Sequence, residues 1–316
     1  MTPLPGSRTR QDEAAWDTPQ VGNTWDEQDF EEHRGRGRWR KTVGCLVPLL
    51  VLGAVGYGGY VAYDHLENFF GGTSCRMVDG GHEEKWEPEQ AANASTITTV
   101  AVTLDRLPTQ AAHIAVTTAI QESKLRNLTY GDRDSVGLFQ QRPSQGWGTA
   151  DQIADPVYSS RAFYEHLVKV DGWRDRPLTE VAQEVQRSGH PDAYADHEDQ
   201  GRTITQVLSG QVPAAVGCRL DAATDSTAPA ALLTKLRAQT GARASVAGGG
   251  VDVRASSEQV AWAIAGWAVT HSESDGITKV TVGDQEWRRE RGKDGWRWHE
   301  ASTPTNDTRS VRIDLA

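Results

Sequence analysis

Apolar positions along this chain change their rhythm several times. From Val43 to Tyr63 there is no rhythm at all, because VGCLVPLLVLGAVGYGGYVAY carries no charged residue. About twenty apolar residues suffice to span a bilayer core of about 30 Å, so the run predicts a transmembrane helix. Its start past residue 40, and its end in aromatics and Asp64, set it apart from a cleaved signal peptide. From Pro88 the spacing turns helical. Ala91, Ala92, Ile97, Val100, Ala101 and Leu104 predict a helix over 88–105, and Pro108 opens a second that runs to Leu125. Further helices are predicted over 155–170, with Val157, Phe163, Leu167 and Val170 facing inward, over 178–188 and over 198–209. No clear period-two alternation precedes Gly217, although the loop 126–136 has room for a small hairpin.

Beyond Gly217 the pattern is mixed. A helix over 229–238, a strand over 243–254 and a helix over 257–271 precede strands at 276–282, 286–291, 295–300 and 310–315. Asp284-Gln285 and Lys293-Asp294-Gly295 supply turn chemistry between the late strands. Trp262, Trp267, Trp287, Trp296 and Trp298 are concentrated here. They read as the core of a small domain, or as an aromatic surface for sugar rings or a partner protein. Trp296 and Trp298 fall on one sheet face under either reading.

Charge then divides the chain further. A net charge of −10 argues against a nucleic-acid binder, which would show a basic stripe. Residues 1–33 hold Asp12, Glu13, Asp17, Asp26, Glu27, Asp29, Glu31 and Glu32 in a polar setting, a composition that predicts disorder. Arg34, Arg36, Arg38, Arg40 and Lys41 follow, directly before the apolar run, which predicts a cytoplasmic N-terminus. Tyr57, Tyr60 and Tyr63 fit the outer interface. The expected organisation is a tail over 1–41, a single-pass anchor in the cell membrane over 43–63 and a flexible juxtamembrane stalk over 64–85. An α-rich domain follows over 86–218, then a linker over 219–228 and an α+β domain over 229–316. Everything after the anchor is expected outside the cytoplasm. The fold class is thus α+β and multi-domain, with one transmembrane helix, a mainly α domain and a small C-terminal α+β domain.

Cysteine placement is consistent with export. Cys45 lies inside the apolar run, whereas Cys75 and Cys218 bracket the α-rich domain. In an oxidising compartment a disulfide between them is favoured over two buried free thiols.

Candidate chemistry centres on Glu122. Ala111, Ala115, Ala119 and Glu122 lie along one helix face, whose small side chains let another element approach closely. Partial desolvation and the negative helix end would both raise the pKa of this carboxyl, as a general acid for glycosidic cleavage requires. The plainer alternative is a solvated glutamate at a helix end.

The surrounding residues add to this. Glu122-Ser123, then Asn127, then Gly137-Leu138-Phe139-Gln140 with Gln140 eighteen residues after the glutamate, then Pro143-Ser144 and Asp155-Pro156, resemble the lysozyme-like lytic transglycosylases over roughly residues 86–210. With a membrane anchor, "SVGLFQQRPSQGWG" is also similar to cell-wall-associated proteins of actinobacteria. The resemblance implies a lysozyme-like domain that cleaves the MurNAc–GlcNAc bond of peptidoglycan. Glu122 would protonate the bridging oxygen and then accept a proton from the sugar's own C6 hydroxyl, which closes a 1,6-anhydro ring without a second carboxylate. Ser123 would orient Glu122, Gln140 would line the cleft, and Gly137 would let the backbone approach the substrate.

Two departures stand out. The family's Tyr-Asn-Ala-Gly corresponds to Val185-Gln186-Arg187-Ser188, so Gln186 and Tyr194 are the candidates to supply the amide and the phenol. The animal-type lysozymes place an aspartate where Ser135 stands. Asp134, one residue further back, is then a candidate second carboxylate, although Asp132 and Asp134 also suit a turn-forming role. Trp147 and Tyr130 are candidates for stacking on sugar rings, with core packing as the alternative for Trp147. His113, His166, His190 and His197 lack metal-ligand spacing, so neither a metal nor a cofactor is predicted. The partners expected are peptidoglycan, the membrane and an envelope protein docking on the C-terminal domain. The competing reading is a catalytically degenerate lysozyme-like module that binds glycan or serves as an envelope scaffold.

Overall fold

The structure is a computed structural model that describes residues 57–62, 71–187, 191–305 and 307–316. Contacts divide the chain into a unit ending at Tyr63 and a compact unit over Asp64–Ala316. The acidic tail over 1–41 lies outside the described residues. Of the expected membrane span over 43–63, only 57–62 is described, as a short helix. No helix among the described residues is long and apolar enough to cross a membrane. The expectations of a transmembrane helix and of a single-pass protein with extracellular domains are therefore corrected: the fold is mixed α/β.

Of the segment expected as a flexible stalk over 64–85, the described residues 71–85 are folded. Strands β1 (Ser74–Asp79) and β2 (His82–Trp86) form a hairpin whose two-residue turn is Gly80-Gly81, at φ 54° and 95°. Both turn positions sit at positive φ, which glycine adopts at no steric cost. Strand β3 (Val216–Arg219) pairs with the other side of β1, giving the order β2-β1-β3. Cys75 lies opposite Cys218 in that register, and the two form the disulfide.

Between β2 and β3 come six helices. Helix α1 (Pro88–Thr99) starts with a proline and a capping box, in which Gln90 Oε1 accepts from the Glu87 N–H at 3.1 Å. Its threonines are compatible with a buried helix because Thr98 and Thr99 return their hydroxyls to Ala94 O and Ser95 O, at 2.8 and 2.9 Å. The helix widens into a π-turn over Val100–Leu104, so the single helix expected over 88–105 changes geometry near its end. Helix α2 (Thr109–Ser123) follows, and then α3 (Ala150–Ile153), α4 (Pro156–Leu167), α5 (Leu178–Gln186) and α6 (Glu198–Leu208). A 3-10 segment over Pro191–His197 leads into α6.

The remaining chain forms α7 (Pro229–Thr240), α8 (Glu258–Thr270) and the short α9 (Ser272–Asp275) around a second sheet. That antiparallel sheet runs β4 (Arg243–Ala247), β5 (Gly250–Arg254), β9 (Ser310–Leu315), β6 (Ile277–Val282), β7 (Gln285–Arg288), β8 (Trp298–Glu300) in spatial order. The stretch expected as one strand over 243–254 is a hairpin, turned by Gly248 and Gly249 at φ 45° and 78°.

Residues on both sides of the expected linker share one core. Helix α8 is apolar all round, as a central helix must be, and packs on α1, α6, β3, β6 and β9. At the edge of the expected linker, Arg219 and Leu220 are buried. The tryptophans join the parts. Trp296 Nε1 donates to Ser74 O at 3.0 Å, Trp298 Nε1 to Val216 O at 2.8 Å, and Trp262 meets Trp298 edge to face at 5.0 Å. Trp267 and Trp287 are fully buried.

Candidate active site

Helix α2 delivers Glu122 from its last turn. Its alanines Ala111, Ala115 and Ala119 are fully buried, and the helix packs on α5, on α6 and on the 3-10 segment over Pro191–His197. A sharp reversal follows, because Lys124 and Leu125 both adopt left-handed backbone conformations, at φ 52° and 59°. Such non-glycine pairs are held only where surrounding contacts dictate them. Helix α1 supplies those contacts. Gln90 Nε2 donates to Lys124 O at 2.7 Å, and Asn93 Nδ2 donates to Leu125 O at 2.8 Å.

The chain then crosses back in front of Glu122. Isolated bridges pair Leu128 with Gly137 and Val136 with Gln141, which makes the small hairpin-like turn that the loop had room for. Phe139 anchors this loop by stacking on Phe163 of α4 at 4.8 Å. Gly137 sits at φ 80°, and a Cβ there would lie 2.8 Å from Ile153 O. The glycine therefore lets the loop approach α3, a role in packing. Ser123 was expected to orient Glu122; its hydroxyl instead donates to Leu138 O at 2.7 Å and ties the loop to the helix.

Around the carboxylate two of the expected residues converge. The Tyr194 hydroxyl donates to Glu122 Oε1 at 2.7 Å, and the Gln186 side chain also hydrogen-bonds this acid. Gln186 Nε2 donates to Phe139 O at 2.7 Å as well, so one amide links α5, the loop and the acid. Glu122 is half-buried and Tyr194 fully buried. Burial pushes the Glu122 carboxyl above its usual range, and the donors from Tyr194 and Gln186 partly oppose that rise.

Gln140 and Asp134 stand in the loop with other roles. Gln140 is left-handed at φ 49°, with Nε2 turned back toward Gly137 O at 3.3 Å and Tyr130 O at 3.4 Å. It folds over Gly131, where an added Cβ would collide with its amide. Asp134 accepts from Arg142 Nε at 2.8 Å, from Ser144 N at 2.8 Å and from Ser144 Oγ at 3.0 Å. The Arg142 bond above all, then the Ser144 donors, hold its carboxyl far below the usual range, so it clamps the loop as an anion. Asn127 donates to Ala154 O at 2.7 Å and secures the loop to the end of α3.

The aromatic candidates separate. Trp147 is buried and stacks on His166 at 4.1 Å, while Tyr130 is exposed. Among the described residues no group of three His, Cys, Asp or Glu side chains is placed to hold a metal ion. Sequence reasoning missed Gln90 and Asn93. Their one signal is two amides spaced three apart on the inner side of a helix. Comparison with protein-family models and with curated proteins finds no match to this chain.

Proposed function

We propose that this protein cleaves the glycan strand of peptidoglycan, with Glu122 as acid and then base, in the manner of the lysozyme-like lytic transglycosylases that its motifs resemble. The observation that carries the reading is the half-buried Glu122 carboxyl, raised by burial, with Tyr194 donating to Oε1. A neutral carboxylic acid that accepts at Oε1 keeps its proton on Oε2, free to pass to a bridging oxygen. Once the proton has gone, the Tyr194 and Gln186 donors stabilise the carboxylate that remains. That carboxylate then takes the proton of the sugar's C6 hydroxyl as its oxygen closes on C1. Atoms and charge balance without a second carboxylate. Asp134, which retaining hydrolysis would need free, is engaged by Arg142 and Ser144.

The test is digestion of purified peptidoglycan by the full chain and by Glu122→Gln. The reading expects solubilisation by the first, loss of at least a hundredfold in the second, and anhydro-muropeptides in the products by mass spectrometry. Equal rates for the two proteins would sink it, and reducing-end products would convert it to hydrolysis.

A further inference from the structure

We infer that a cleft beside Gln186 is a subsite for the carboxylate carried by an acidic sugar of the glycan. This inference rests on the reading of Glu122 as the acid of a glycan-cleaving site. The cleft holds about 330 Å³, and Trp147 and Gln186 are among the residues that line it. One wall is the buried Trp147 indole stacked on the His166 ring. Two cations stand at its edge: Lys169, just past α4, and Arg187, which closes α5.

Charge makes the cleft selective. Among the described residues neither Lys169 nor Arg187 has a carboxylate partner. The acid that lines the same cleft, Glu184, is already held by Arg176 at 2.7 Å, and Arg176 also lies 3.6 Å from Glu180. Beside the Arg176–Glu184 pair the cleft thus presents two cations that have no carboxylate partner among the described residues, on a chain whose net charge is −10. Both are exposed. Arg187 is further singled out by its left-handed backbone at φ 53°, closed by its N–H to Gln183 O at 2.7 Å.

Gln186 connects this cleft to the acid. It lines the cleft, and its side chain hydrogen-bonds Glu122, so one side chain separates the two. A glycan with its bridging oxygen at Glu122 therefore lays an adjacent group in the cleft. The Trp147–His166 wall suits an apolar sugar face or ether carbon, and Lys169 with Arg187 suits a carboxylate. In peptidoglycan that carboxylate is the lactyl group of a muramic acid without its peptide, or an acid of the peptide where one is amide-linked to the lactyl carbonyl.

The experiment is calorimetric titration of the full chain carrying Glu122→Gln, so that no ligand turns over. The ligands are GlcNAc–MurNAc, the same disaccharide bearing a dipeptide, and uncharged chitobiose. At least one acidic ligand should bind about tenfold tighter than chitobiose. Adding Lys169→Ala and Arg187→Ala should erase that preference and leave chitobiose unchanged. The acidic ligand that gains identifies the source of the carboxylate. Equal affinity for all three, no binding of any, or a preference that survives in the double variant would overturn the subsite. With Glu122 restored, Lys169→Ala/Arg187→Ala should raise KM on peptidoglycan while kcat stays within about twofold. A chain that prefers acidic sugar but cleaves no glycan would keep the subsite and sink the glycosidase reading; cleavage without preference would do the reverse.

Discussion

A phenol that donates to a carboxylate decides two matters at once: which oxygen carries the proton, and how readily the proton leaves. Tyr194 does both for Glu122. Its bond favours the charged form, so Tyr194→Phe should raise the Glu122 pKa above its already elevated position and move the alkaline limb of the pH–rate profile upward. The maximal rate should fall about tenfold, since the carboxylate left after proton transfer loses a charged hydrogen bond. A limb that stays in place would take Tyr194 out of this role. Asp134→Asn is expected to leave activity within a few-fold and to lower the Tm only slightly, as the partner of a solvent-accessible ion pair does. A thousandfold loss would make Asp134 a second carboxylate after all. At this scale the half-buried setting of Glu122 was legible, because the alanine face predicts a carboxyl at the rim of the core, while its role as an acid belongs to the proposal. Its partners were legible only as candidates. Tyr194 lies 72 positions further on, and periodicity reveals a face without naming what sits against it. Ser123 shows the same gap, since its hydroxyl serves the loop at Leu138.

Among the elements, the decisive one is the reversal after α2. Lys124 and Leu125 take backbone conformations that suit glycine, and Gln90 and Asn93 hold their carbonyls there. Lys124→Gly should therefore stabilise the protein by about 0.5–1 kcal/mol, read as a rise in Tm, because the side chain is exposed and glycine removes the left-handed penalty. A fall in Tm would show that the side chain contributes more than its backbone costs. Helices α4, α5, α6 and α8 follow the predicted spans closely, because their apolar positions keep one period throughout. The hairpin β1–β2 was not legible. Strand β2 reads HEEKW and its residues are mostly exposed, so an edge strand with charges to water resembles a polar stalk. The β4–β5 hairpin was missed because apolar residues continue on both sides of Gly248 and Gly249.

For the whole molecule, composition misled at the join. Residues 219–228 look like a linker, yet Arg219 and Leu220 are buried where β3 meets the tryptophans that follow. Small polar residues mark a turn as readily as a boundary, and only packing tells them apart. The disulfide was expected from the placement of Cys75 and Cys218 at either end of the α-rich segment, and it joins β1 to β3 across 143 positions. By the loop-entropy relation its removal costs up to about 5 kcal/mol. Cys75→Ser/Cys218→Ser should therefore unfold at much lower denaturant than the oxidised protein, and reductant should abolish the difference. No difference before reduction would mean that the sheet alone closes the loop. The same bond makes residues 75–218 a covalent ring that carries Glu122 on its circumference. A protease that nicks this ring once releases nothing: the two pieces stay tethered through sulfur, and they part on a gel only after reduction.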